Sequence, residues 1–343
     1  MKMKSVYCYM LAGLMLSASS CSSWLSEDDA PVMSYDYYET EAGVNAAITA
    51  AYGFLRWGVG GERFDVLTEL GTDLFTEGED GSNRESYNKY ATQLNPDDGI
   101  LYEMWENHYK GISDANIAMQ KIRDSQDLLE SVKIQSYAEM QFIRAYLYFD
   151  LVQQFGRIPL VTEGSFEIRT DFKRAPIADV YNVIISDLRN AAENLPEKAS
   201  VLGRATRYSA AHLLAKVYLT RGSAVKDARG QKATDMDSTL YYAEQVINSG
   251  AYALQENFSS LWDIKNQGNS EAVFAVQFTT EPMFNGDGNK QHLYWLSWYE
   301  DQPGMLRDIE NGRPYRRHVA TKKTMDDLFD RLHDSRLFYA GSF

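Results

Sequence analysis

Residues 131–156, SVKIQSYAEMQFIRAYLYFDLVQQFG, limit the possible folds more than any other stretch. Ile134, Ala138, Phe142, Ala145, Phe149 and Val152 recur at steps of three and four, the period of one helix face. Tyr146, Leu147 and Leu151 widen that face until the helix needs neighbours on nearly every side. Gly156 and Pro159 then stop it, because glycine accepts the left-handed closing turn and proline cannot continue the ladder. So apolar a helix requires other helices to cover it.

The flanking sequence supplies them. Thr40 can cap a first helix carrying Val44, Ile48, Ala51 and Leu55. A second runs from near Pro96 or Ile100 to about Arg123, with Trp105, Ile112, Ala115, Met119 and Ile122 on one side. Pro176 opens a fourth, striped by Ile177, Val180, Ile184, Leu188, Ala191 and Leu195 and ended by Pro196. A fifth begins at Thr206, is rich in alanine at close-contact positions, and ends at Gly222. A sixth covers Asp237 to Asn248, closed by Gly250. The period then switches to alternation in EAVFAVQFT (271–279), which predicts a strand. The Gly-rich stretch GVGGERF (58–64) and the polar segment up to Asn95 read as loops. Residues up to 320 read as irregular, and a short helix is expected near Thr324 to Leu332. The expected fold class is mainly α: tetratricopeptide-repeat-type helical pairs forming an α-α superhelix, with irregular loops and a few short strands. Insertions separate the pairs, so the ~34-residue repeat period is not strictly kept.

The first residues are of a different kind. Lys2 and Lys4 precede an apolar run, Val6 to Leu16, which is too short to span a bilayer. Ser17 to Ser20 are small, and Cys21 follows. Cleavage before Cys21 would remove Cys8, leaving a single thiol that cannot form an internal disulfide. A bacterial lipoprotein signal accounts for that thiol as the site of lipidation, although Ala18 stands where leucine is usual and Leu16 lies two places further back. An ordinary secretory signal with a chance cysteine is the alternative. Acyl chains contribute about 0.8 kcal/mol per buried CH₂, so a lipidated Cys21 would hold the chain on a membrane without a spanning helix.

Charge excludes some partners. With 48 acidic and 34 basic residues the net charge is −14, which disfavours nucleic-acid backbone and anionic lipid. The chemistry-bearing motifs are nearly absent. The five histidines show no HExxH and no ligand spacing, and no nucleophile elbow, phosphate loop or dinucleotide fingerprint occurs. EGEDGSN (77–83) and FNGDGNK (284–290) offer oxygens for a structural calcium ion but lack EF-hand spacing, and turns are the simpler reading. Catalytic residues, cofactors and metal ligands are therefore not assigned, and the protein is not expected to be an enzyme.

Aromatic residues carry the remaining signal. The chain has 23 tyrosines, more than packing usually needs, since each buried hydroxyl wants a partner. HLYWLSWYEDQ (292–302) sets Tyr294, Trp295, Trp298 and Tyr299 within six residues. A flat ring can pack on the C–H face of a sugar while neighbouring polar groups bond its hydroxyls. These four are the candidate glycan-binding residues, with core or partner packing as the alternative. Trp57, beside the Gly-rich loop, and Tyr87 and Tyr90 in the polar segment are weaker candidates.

Taken in order, several stretches resemble one family. Cys21 with Trp24 and Leu25 close behind, NAAITAAYGFLR, WENHYKGISDANIAMQKI and AEMQFIRAYLYFDLVQQFGRIPLV are similar to the SusD/RagB lipoproteins of Bacteroidetes. So are VYNVIISDLRNAAENLP, GRATRYSAAHLLAKVYLTRG and EAVFAVQF. The resemblance implies a helical fold built on tetratricopeptide repeats and a non-catalytic, cell-surface oligosaccharide-binding protein. It further implies a SusC-like TonB-dependent outer-membrane barrel as partner in nutrient uptake, and a lipid anchor facing the cell exterior. The acidic SEDD behind Cys21 looks like the address for that surface. Some relatives handle peptides, so a peptide-binding or scaffold role stays open, and a glycosidase is the remaining alternative. Ligand residues vary within the family and none is carried over. The implied layout is a signal peptide at 1–20, a lipidated tether at 21–39, a helical repeat domain at 40–265 and a C-terminal region with ligand-type loops at 266–343. That last region looks incomplete, because MDDLFDRLHDSRLFYAGSF resembles a mid-chain motif of the family.

Overall fold

The computed structural model describes residues 37, 40–78, 84–90, 94–165, 169–225, 228–281, 288–307 and 312–328. Cys21, the signal and all of the tether but Tyr37 lie outside them, as do parts of both acidic-glycine stretches and the end of the expected last helix. The helices are α1 (Glu41–Gly53), α2 (Arg56–Gly60), α3 (Glu62–Thr68), α4 (Glu85–Lys89), α5 (Gly99–Asp124), α6 (Glu130–Phe155), α7 (Ile177–Asn194), α8 (Arg207–Gly222), α9 (Asp235–Ile247) and α10 (Gln291–Trp295). Strands β1 (Phe75–Glu77) and β2 (His318–Ala320) pair antiparallel, with Thr76 opposite Val319.

Local chemistry sets the helix ends. The Thr40 side chain accepts from the Gly43 amide at 3.1 Å, and Asp98 accepts from Ile100 at 2.8 Å. Thr206 and Ser209 form a reciprocal capping box at the start of α8, satisfying two otherwise orphaned donors. Gly156 closes α6 with φ of 67°, a conformation glycine adopts without a Cβ clash.

The long helices stack in chain order, each of α5 to α9 packing on the next, while α1 lies across α5 and α6. Helix α6 is the centre, as its wide apolar face requires. Ala115, Ala138, Ala145, Ala191 and Ala210 are fully buried in one core, so the helices approach closely at small side chains. At the α5–α6 crossing a Cβ on Gly111 would lie 2.6 Å from Leu147 Cδ1, so only glycine fits. Buried polar groups there are mutually satisfied. Tyr52 donates to Glu139 at 2.7 Å and accepts from the Ala205 amide at 2.7 Å, while Arg204 pairs with the same carboxylate.

Three expectations are corrected. Residues 58–64 are not a loop: α2 and α3 occupy them, because Gly58 and Gly60 are buried where the short helices meet their neighbours. The polar segment before Asn95 contains β1 and α4. Residues 271–279 form no strand, since the only sheet among the described residues is β1–β2. Their alternation instead records sidedness. Phe274 and Val276 pack on the helical core, with Phe274 edge-on to Phe142 at 5.2 Å, and the Gln277 carbonyl accepts from Arg56.

Candidate functional site

The aromatic segment is fixed by contacts distant in sequence. The Lys290 amide donates to the Gly60 carbonyl at 2.9 Å, and Gln291 Nε2 donates to Gly61 at 3.0 Å, docking α10 on the α2–α3 junction. The junction is also tightly packed by the chain before α10: a Cβ on Gly60 would meet the Phe278 ring at 2.6 Å. Backbone amides of Tyr315 and Arg317 donate to Leu293 and Tyr294, each at 2.8 Å, so the chain entering β2 runs alongside α10. The segment expected to be irregular is thus a short helix followed by a 3₁₀ turn at Tyr299–Asp301.

Each predicted ring has a distinct setting. Trp295 is half-buried, edge-on to Phe75 at 4.8 Å, with Nε1 donating to Gln291 Oε1 at 3.1 Å and Asp65 Oδ2 at 3.4 Å. Tyr294 lies 5.8 Å from Tyr315, and the Arg317 guanidinium sits over both rings. The Tyr299 hydroxyl donates to the Gly312 carbonyl at 2.9 Å. Trp298 is half-buried between α10 and the 3₁₀ turn and packs on no other ring among the described residues. Trp57 is turned inward, edge-on to Phe64 and His108 at 6.3 and 5.7 Å. Tyr87 sits on α4 in a small separate core with Val66 and Leu70, 8% exposed, whereas Tyr90 next to it is 70% exposed. The structure therefore brings together Tyr294, Trp295, Trp298 and Tyr299, and places Trp57 and Tyr87 in packing roles elsewhere.

Beneath these rings lies a buried polar cluster that the sequence did not reveal. Glu62 is bound by Arg84 and Arg317, each at 2.6 Å. Burial acts to raise its carboxyl, but the two guanidinium groups outweigh that and hold it below the usual range. Burial raises Asp65 to about 6 against the hydrogen bonds from Gln291 and Trp295. His318 is fully buried, its imidazole pushed down to about 4 by desolvation, with Nε2 3.9 Å from Asp65 Oδ2. The Glu62 charge is compensated by its two arginines. These groups hold the platform; they do not offer an open pair of carboxylates. Their members come from α3, the α4 start and β2, and no local motif connects such distant positions.

Two cavities lie elsewhere. One of about 910 Å³ opens between α5 and the chain after α6, lined by Trp105, Tyr109, Asn116, Thr162 and Phe172. The other, about 460 Å³ and mostly polar, lies among α7, α8 and α9. Among the described residues no group of three or more His, Cys, Asp or Glu side chains is placed to hold a metal ion, and no helix is long and apolar enough to cross a membrane.

A SusD-like family model, described as starch-binding and associating with the outer membrane, matches residues 32–219, more than half of the chain. The chain belongs to the SusD-like family. SusD-like protein P2 of Formosa agariphila is 27% identical over 91% of this chain, and the match spans 63% of that relative's length. A SusD superfamily protein from Parabacteroides distasonis superposes with a TM-score of 0.70 at 24% identity, over 84% of this chain and 59% of its own. A laminarin-binding SusD-like protein superposes at 0.59 with 28% identity, over 68% of this chain and 50% of its own. The mainly helical, tetratricopeptide-like architecture is thus that of this family.

Proposed function

We propose that this SusD-like protein binds oligosaccharides at the bacterial surface without cleaving them. In this reading Tyr294, Trp295, Trp298 and Tyr299 form the sugar platform, and a lipid on Cys21 anchors the chain to the outer membrane. A SusC-like TonB-dependent barrel receives the ligand. The observation carrying the reading is the state of Trp298. Its neighbours are locked by hydrogen bonds and ring contacts, while its own ring has no aromatic partner among the described residues, as a stacking surface for a ligand requires. The laminarin-binding relative supports a β-glucan as the first ligand to test.

Affinity electrophoresis in laminarin and starch gels tests this directly. Retardation is expected for the parent chain and is lost in Trp298→Ala. Retention of mobility shift in Trp298→Ala but not in Trp105→Ala would move the site to the 910 Å³ cavity. Release of reducing sugar by the purified chain would instead make it a glycosidase. Mass spectrometry of the mature N-terminus tests the anchor, an unmodified thiol at Cys21 being the contrary result.

A further inference from the structure

The polar cavity among α7, α8 and α9 has an unusual charge balance for so acidic a chain. Arg189, Arg221 and Lys232 all line it, with Glu193 at its edge and Asn182 and Ser186 on the α7 wall. Arg221 is already committed. It is buried and holds Asp235 with two hydrogen bonds, at 3.0 and 2.6 Å. Arg189 and Lys232 are exposed and form no ion pair among the described residues. The chain carries a net charge of −14, yet among the described residues no carboxylate pairs with either cation.

The floor of the cavity is Tyr218, only 2% exposed, whose ring is stacked on Tyr242 at 5.9 Å and flanked by Arg189 and Arg221 at 5.8 and 5.4 Å. Arg189 is held over this floor by hydrogen bonding to the Tyr218 and Tyr242 hydroxyls. The cavity thus presents two sets of groups, the cationic donors Arg189 and Lys232 and, along the same α7 wall as Arg189, the Glu193 carboxylate with neutral Asn182 and Ser186.

We propose that this cavity binds an acidic sugar unit, with its carboxylate between Arg189 and Lys232 and its ring hydroxyls on Glu193, Asn182 and Ser186. A bare oxyanion would fill little of about 460 Å³ and would gain nothing from Glu193. A neutral sugar would leave two cations uncompensated. A hydroxylated acid satisfies both sets. That the ligand is a sugar rests on the glycan-binding reading; the place does not, because this cavity shares no residue with the aromatic platform.

Isothermal titration of the full chain with D-glucuronate, D-glucose, acetate and a triglutamate peptide tests the proposal. Glucuronate should bind about tenfold or more tightly than glucose or acetate, the scale of one charge-assisted hydrogen bond. Arg189→Gln/Lys232→Gln should lose that preference while still being retarded by laminarin. Should the double variant melt early, Lys232→Gln alone, at an exposed position, must show the weakened binding. Equal binding of glucuronate and acetate, undiminished binding in the variants, or tighter binding of triglutamate each overturns the acidic-sugar site. None of these results touches Trp298.

Discussion

Arg144 and Asp187 meet in a two-pronged ion pair at the junction of α6 and α7, Nε to Oδ2 and Nη2 to Oδ1, both at 2.8 Å. The third nitrogen of Arg144 donates to Asn116 Oδ1 and the Thr162 carbonyl, and Gln141 donates to Asp187 at 2.9 Å. One guanidinium therefore joins α5, α6, α7 and the chain after α6. Removing one partner strands the other charge in the core. Arg144→Met or Asp187→Ala should each lower unfolding free energy by about 3–5 kcal/mol, read from urea midpoints. A loss below about 1 kcal/mol would mean the pair is not buried in solution.

The α5–α6 crossing predicts a contrast between two glycines. Gly111→Ala forces a Cβ against Leu147 and Phe54 and should cost roughly 1–3 kcal/mol. Gly53→Ala, whose Cβ would meet nothing within 4 Å, should be neutral or slightly stabilising. Thermal melts of the two variants moving together would contradict the close approach.

Asp65 and His318 give opposing pH dependences. The raised Asp65 carboxyl favours the fold below the unfolded carboxylate pKa of ~3.9, and this is lost as pH rises through about 6. The depressed His318 imidazole favours the fold above the unfolded value of ~6.5, and this is lost as pH falls through about 4. Between those limits the slopes oppose, so the parent chain should show little net dependence from this pair. Asp65→Asn should leave stability rising with pH and His318→Gln should leave it falling, each by up to ~1.4 kcal/mol per unit. Denaturant titrations across the window that gave both variants the same slope would refute the assignment.

Trp295 and Trp298 should separate binding from stability. Trp298→Ala removes a ring with no aromatic partner among the described residues and should weaken laminarin binding by about 2 kcal/mol, with the melting temperature nearly unchanged. Trp295→Ala removes the packing against Phe75 and two hydrogen bonds, so it should lower the melting temperature as well. Equal melts for the two variants would show that Trp295 is not a structural ring.

Much of the fold was legible because helices are local. The apolar steps of α5 to α9, the Thr206 cap and the Gly156 stop lie within a few residues of what they control. Each predicted boundary of α5 to α9 fell within a few residues of the observed one. EAVFAVQFT misled because alternation reports which side chains face inward, and it cannot supply a neighbouring strand. GVGGERF misled because its glycines serve close packing, as the Phe278 ring against Gly60 shows, where a loop had been expected. Within the candidate site, the aromatic cluster could be seen as composition. The Glu62, Asp65 and His318 cluster could not, since His318 and Arg317 reach the Glu62–Asp65 turn of α3 from the far end of the described chain and no spacing rule joins them. The Arg189 and Tyr218 cavity was hidden for the same reason.

The docking of α10 on the α2–α3 junction has a kinetic consequence. Gln291 and Trp295 reach partners 230 residues earlier, and Thr321 reaches Asp73 across 248. Closing loops of that length costs entropy before any contact repays it, whereas neighbouring helices zip together cheaply. The aromatic segment is therefore expected to be the last part of the molecule to assemble, on a helical body that already stands.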